Sequence, residues 1–204
     1  MITRKLVAGL AGAAAIATIG IAAPSASANP APGQAIVDTV VNDPRFDVLQ
    51  ALVTDPQVNL AGTVLGLSNV TVFAPADQAF RGLLVDLTND ARFFFANDAT
   101  VASTLLAAAG PDAIRNIVLY HVAVGRDGNK WFSALDPAGT PQVTDNASFN
   151  QVRFFGINFL QDGDKTDLDP FTVSGRIDAG NGNGVFVIAG VLRPFDLKTA
   201  FPLD

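Results

Sequence analysis

The chain has 204 residues, 49% hydrophobic and 16% charged, with 19 acidic residues against 13 basic ones and a net charge of −6. That balance lacks the basic face that nucleic-acid binding needs, and it disfavours attraction to anionic lipid. With no cysteine there is no thiolate nucleophile, cysteine–zinc site, disulfide or lipoprotein anchor, and a core of this size needs no such staple.

Residues 1–28 read as a secretory signal peptide. Arg4 and Lys5 supply a positive start, residues 6–23 an uncharged apolar run, and Ala26-Ser27-Ala28 the small residues that signal peptidase accepts. A permanent membrane helix is the alternative, since the run approaches the roughly 20 residues that a span requires. Its richness in alanine and glycine and its closing cleavage signal favour removal. The mature chain is therefore expected to begin at Asn29 without a membrane span, and to be secreted or held at the cell surface. The stretch after Pro194 is too short to span a membrane and shows no sorting signal, so surface retention would be non-covalent or through a partner.

Residues 29–34, with Pro30, Pro32 and Gly33, read as a mobile leader. Two short helices are expected at 35–41 and 45–53, the second capped by Asp43 with Pro44 at its first position. Residues 58–67 are ambiguous, because Gly62 and Gly66 weaken a helix whose apolar spacing Leu60, Val64 and Leu67 keep. Thr71-Val72-Phe73 suits a strand that Ala74-Pro75 stops. Asp77 then offers a carboxylate to a helix start, and Ala79, Phe80, Leu83 and Leu84 form that helix's apolar face. Further elements are expected at 90–96 and 99–109, and from Ile114, whose apolar spacing runs through Ile117 and Val118 to His121. Phe93, Phe94 and Phe95 cannot all face one core from a helix.

From about residue 136 to 194, turn signals recur every few residues, with strands expected at 151–157, 172–177 and 185–188. Lys130-Trp131-Phe132 marks the changeover, and Gly180-Asn181-Gly182-Asn183-Gly184 is a turn rich in residues that tolerate positive φ. Helices first and strands later, with one strand among the helices, indicate a single α+β domain.

Three stretches, in order, carry a family resemblance. Thr71 to Phe80, reading TVFAPADQAF, resembles the first signature of the fasciclin domain, with Ala76 where a hydroxyl residue is usual. Asn116 to Val122, reading NIVLYHV, resembles its central helix-to-strand segment. Asn183 to Pro194, reading NGVFVIAGVLRP, resembles its closing signature, with Phe186 and Ala189 where histidine and aspartate are common. The resemblance spans about residues 35–194 and leaves 195–204 as a C-terminal tail. It implies a fasciclin-like fold, with helices packed around a β-wedge, and similarity to small single-domain secreted bacterial members. It also implies adhesion or interaction with an extracellular protein or matrix component. The region of Tyr120 and His121 has been linked to integrin binding in animal members, which makes these two the candidate interaction residues.

His121 is the only histidine. A general base would need a nucleophile and an orienting carboxylate beside it, and the chain has no G-x-S-x-G elbow. The favoured reading is a partly buried imidazole bonded across the helix-to-strand turn, and no catalytic residue, metal or cofactor is assigned. Asp162, Asp164, Asp167 and Asp169 suit calcium by type but not by EF-hand spacing, so a solvated turn is expected. Fifteen phenylalanines against one tryptophan and one tyrosine raise a second reading, an apolar groove for a lipid or pigment. Phe94, Phe95, Phe154, Phe155 and Phe186 are its candidate lining.

Overall fold

Strand β1 (Thr71–Pro75) is buried at all five positions. The computed structural model, which describes residues 29–123, 141–143, 148–154, 157–165 and 168–201, shows why. Strand β1 sits inside a four-stranded sheet, parallel to β7 (Gly184–Ile188) and antiparallel to β2 (Val122–Ala123), with β6 (Ile177–Asp178) on the far side of β7. Val72 pairs with Val185, Phe73 with Phe186, Ala74 with Val187 and Pro75 with Ile188. Because side chains alternate along a strand, Val72, Ala74, Val185 and Val187 enter one hydrophobic cluster. Phe73, Phe186 and Ile188 enter a second, with Tyr120, Ala123, Leu160 and Leu192. Pro75 stands at the last position, so its missing N–H interrupts no ladder within the strand.

The first cluster is the helical side. Its helices are α1 (Gln34–Asn42), α2 (Asp47–Thr54), α3 (Ala61–Leu65), α4 (Asp77–Thr88), α5 (Asp98–Ala109) and α6 (Pro111–Tyr120). Phe80, Leu83, Leu84 and Leu87 give α4 its buried stripe. Pro111 opens α6 at a position where its missing N–H costs nothing, and Gly110, at φ +79°, makes the corner after α5. Asn97 accepts the Thr100 N–H at the start of α5. The ambiguous stretch at 58–67 yields only the five-residue α3.

Two caps depart from expectation. Helix α2 begins at Asp47 rather than Arg45, and Asp43 instead accepts the Arg45 N–H in the preceding turn while the Arg45 guanidinium clasps its carboxylate. Asp77 does not cap its own helix, whose flanking residue is Ala76. Its carboxylate crosses to α2 and accepts the Val48 N–H at 2.9 Å, buried, while its backbone N–H donates to Arg45. A cap from another element meets the same need for a partner at an orphan helix-end donor.

The strand-rich half also differs in detail. The strand expected at 151–157 is two strands, β4 (Ser148–Phe154) and β5 (Ile157–Gln161), which with β3 (Pro141–Val143) form a second sheet in the order β3-β4-β5. Residues 172–177 do not form one strand, because the chain there serves both sheets. Leu160 donates to Pro170 O and Thr172 to Asn158 O on one side, and Val173 donates to Val187 O and Ala189 to Phe171 O on the other. The ends are tied down too. Pro32 O accepts the Asn183 amide and Gly33 donates to Leu65 O, within the expected leader. A short helix α7 (Leu197–Ala200), within the expected tail, buries Leu197. The predicted signal peptide and Lys130-Trp131-Phe132 lie outside the described residues.

Candidate functional site

Tyr120 and His121 stand where α6 ends and β2 begins. The His121 side chain is 3% exposed and every polar group of the residue is engaged. Its backbone N–H donates to Val118 O, and its carbonyl accepts the Phe73 N–H of β1. On the ring, Nδ1 lies 2.7 Å from Ile117 O and Nε2 accepts the Leu192 N–H at 2.8 Å. A carbonyl can only accept, so Nδ1 carries the proton and the imidazole is neutral. Burial pushes its pKa down to about 4, against the opposing pull of the Ile117 carbonyl. Tyr120 is fully buried, and burial together with the Asp162 carboxylate pushes its hydroxyl up to about 12, against a hydrogen bond with the Gly163 backbone. The pair that the resemblance makes candidate interaction residues is thus internal, His121 more deeply than the partly buried imidazole expected. It pins α6 to the 162–164 loop and to the closing segment.

Two aspartates of the acidic loop, expected to be solvated, are likewise internal. Asp162 and Asp164 are 2% and 1% exposed. Asp162 accepts the N–H of Asp164 at 3.0 Å and that of Arg193 at 2.5 Å. The Arg193 guanidinium lies 3.5 Å from Asp164 and 2.8 Å from Asp86 of α4, and Lys198 of α7 holds the other Asp86 oxygen. Burial would raise the Asp86 carboxyl, but its bonds to Lys198 and Arg193 outweigh this and hold it below its ordinary value. Gly163 is required here, because a Cβ would meet Pro194 O at 2.0 Å. Asp164 and Asp86 already have a protein cation and Asp162 is held by backbone N–H groups, and the local spacing of aspartates carried no sign of Arg193. Asp169 is half-buried, and Asp167 lies outside the described residues.

Among the described residues, the group with metal-ligand spacing is instead Asp47, Asp77 and Asp98, whose carboxylate oxygens lie within 4.8 Å of one another. Each is the first residue of a helix, α2, α4 and α5. Three positive helix ends therefore meet three carboxylates, Arg81 pairs with Asp98, and Asp77 caps α2. Burial raises the Asp77 carboxyl, with Asp98 and Asp47 adding to this and the Val48 N–H and Arg81 opposing it. The arrangement offsets helix-end charge, and the Arg81 guanidinium already supplies a cation to Asp98. A separate apolar cavity of about 70 Å³ lies between α1, α2, α3, β1 and α6, with Ile36, Val40, Val53, Val64, Val72 and Val118 among its lining residues.

Residues 44–194 match the family model of the fasciclin domain. The chain belongs to the fasciclin domain family. A solved FAS1 domain pair from the insect cell adhesion molecule Fasciclin I is similar in fold, with a TM-score of 0.51 and 11% identity over 78% of this chain. The match covers 50% of that chain, so the likeness spans half of its length. No curated protein matches.

In this fasciclin domain Phe94 and Phe95 do not share a groove with Phe186. Phe94 and Phe95 are 46% and 92% exposed on a 3₁₀ turn (Ala91–Phe95), where Phe93 alone packs against the core. Phe186 is buried between the sheet and its second cluster and stacks on Phe73 at 5.9 Å between ring centroids. Phe154 pairs with Ile157 in the β4–β5 ladder, and Phe155 lies outside the described residues. The apolar cavity under α1 is lined mostly by aliphatic side chains, with Phe73 and Phe80 also in its lining, and in sequence these residues read as ordinary core.

Proposed function

We propose that this fasciclin-family chain is a secreted, non-enzymatic domain that acts by binding an extracellular protein or matrix component. The observation that carries the reading is family membership over residues 44–194. The internal bonding of His121 supports the non-enzymatic part, since both ring nitrogens are committed to backbone groups and neither is placed to take a substrate proton. The exposed Phe94–Phe95 turn offers a place for contact. Binding of purified protein to cell surfaces and immobilised matrix components tests it, and the absence of binding to all of them removes it. Export is tested separately, by sequencing the N-terminus of protein recovered from the medium, which is expected to start at Asn29.

A second reading, a carrier of a small apolar ligand, is favoured by the cavity under α1. Its volume of about 70 Å³ is less than half of the ~150 Å³ that holds a benzene in an engineered core. A lipid or pigment would therefore need α1 to move aside. Solvent extraction followed by mass spectrometry decides it, and protein that yields no lipid or pigment counts against the carrier.

A further inference from the structure

The residue that His121 holds, Leu192, lies on a short span between two anchors. Upstream, the Ala189 N–H donates to Phe171 O. Downstream, Arg193 O accepts the Gly163 and Asp164 N–H groups, and the Arg193 N–H donates to Asp162. Between the anchors, the bond from the Leu192 N–H to Nε2 of His121 ties the span to the end of α6. The span threads both halves of the core, with Val191 in the first hydrophobic cluster and Leu192 in the second.

That bond exists in one protonation state of the ring. With Nδ1 on the Ile117 carbonyl, the accepting lone pair is on Nε2 and faces the Leu192 N–H at 2.8 Å. An added proton occupies that lone pair and sets two donors against each other. The surroundings offer the charged ring no new partner. Strands β1, β2 and β7 and helix α3 carry no titratable side chain. On the closing segment Arg193 is a like charge, held by Asp86 and Asp164. In the facing loop Asp162 already accepts the Asp164 and Arg193 N–H groups, and Lys165 donates to Asp162 O. On α6, Asp112 is exposed, Arg115 donates to Val58 O, and the Tyr120 hydroxyl is bonded to the Gly163 backbone. Asp38 of α1 and Asp47 of α2 are exposed, while Asp77 and Arg81 of α4 are engaged with Val48 and Asp98. The ring also adjoins the apolar cavity under α1.

We propose that His121 is a pH-operated latch, whose protonation releases Leu192 and opens the span at 190–192 while the helical side stays packed. Opening brings water to the charged ring, which offsets the broken bond. The two anchors confine the movement. The Asp86 carboxyl is held below its ordinary value by Lys198 and Arg193 despite its burial, so the Arg193 anchor keeps its charge partner as the ring titrates. Acid thus presents Val191 and Leu192, which are buried at neutral pH, whatever the domain binds.

Amide exchange of the native protein, followed by NMR from pH 7 to pH 4 and corrected for the intrinsic pH dependence of exchange, is the test. The Leu192 amide is expected to be less protected throughout than the Leu84 amide of α4, which is released by global unfolding. Burial holds the folded ring at about 4 against an ordinary value near 6.5. The closed span is therefore fully favoured above pH 6.5 and loses its advantage as pH falls toward 4. Protection of Leu192 is expected to fall about tenfold per pH unit across that window. In His121→Gln, whose side chain does not titrate, Leu192 is expected to show no such slope. Protection of Leu192 equal to or above that of Leu84 overturns the proposal, because the span then opens only with the whole fold. Protection without the slope in the native protein overturns it too, as does the same slope in His121→Gln. If that variant fails to fold, the slope and the comparison with Leu84 in the native protein decide alone.

Discussion

Tyr120-His121 and Phe94-Phe95 are both short aromatic pairs at the end of a helical segment, and they have opposite fates. The first carries all the polar chemistry and is almost wholly buried, its ring nitrogens bonded to Ile117 and Leu192. The second carries no polar group and stands in solvent. Chemical capability in a side chain is therefore a poor guide to where this molecule meets its surroundings. A histidine whose donors and acceptors are all satisfied internally is a structural joint, whereas an exposed ring on a rigid turn is free to touch something else.

The largest expected effect tests the joint. His121→Ala strips the partner from the Leu192 N–H and the Ile117 carbonyl and removes a buried ring, for an expected loss of about 3–4 kcal/mol in denaturant unfolding. Near-native stability of that variant would dissolve the contrast with Phe95. Acid should act through the same ring. Its folded pKa of about 4 lies below the ordinary histidine value of about 6.5, so the unfolded chain binds the proton first. The stabilisation is complete above pH 6.5 and is lost as pH falls toward 4, by up to about 3 kcal/mol. Unfolding free energies measured across that window should show this slope in the native protein and not in His121→Ala.

Smaller effects sharpen the comparison. Tyr120→Phe removes only the hydroxyl bonded to the Gly163 backbone, and a loss of about 1 kcal/mol is expected by the same measurement. Phe95→Ser touches almost nothing within the chain and should change stability by less than about 0.5 kcal/mol. A thermal melt that fell by many degrees for Phe95→Ser would mean that the exposed ring is part of the core after all.

Much of the fold was legible because it is written in local periodicity. The strand–turn–helix of Thr71 to Phe80 follows from a β-branched run, a proline and a helical apolar stripe, and it stands at the centre of the sheet. The three signatures identified the family, and residues 44–194 match its model. The site was less legible. Phe94 and Phe95 do not share a groove with Phe186 because burial of each ring depends on its partner across space, and Phe186 stacks on Phe73 from more than a hundred positions away. The apolar cavity under α1 gave no signal, since a residue lining a void and a residue filling a core are the same amino acids.

The α+β class, the order of most helices, the central strand and the family are legible in the chain alone, because each depends on residue type and spacing along a short stretch. What the charged and aromatic groups do is settled by the neighbours that folding gives them. Asp77 caps α2 rather than its own helix, Asp162 and Asp164 turn inward to the closing segment, and His121 bridges α6 to Leu192. Each of those outcomes is set by a partner that the fold brings close, from 29 to 71 residues away along the chain, and by the water it excludes in doing so. Burial and pairing are properties of that assembled neighbourhood, and no local pattern in the chain encodes them.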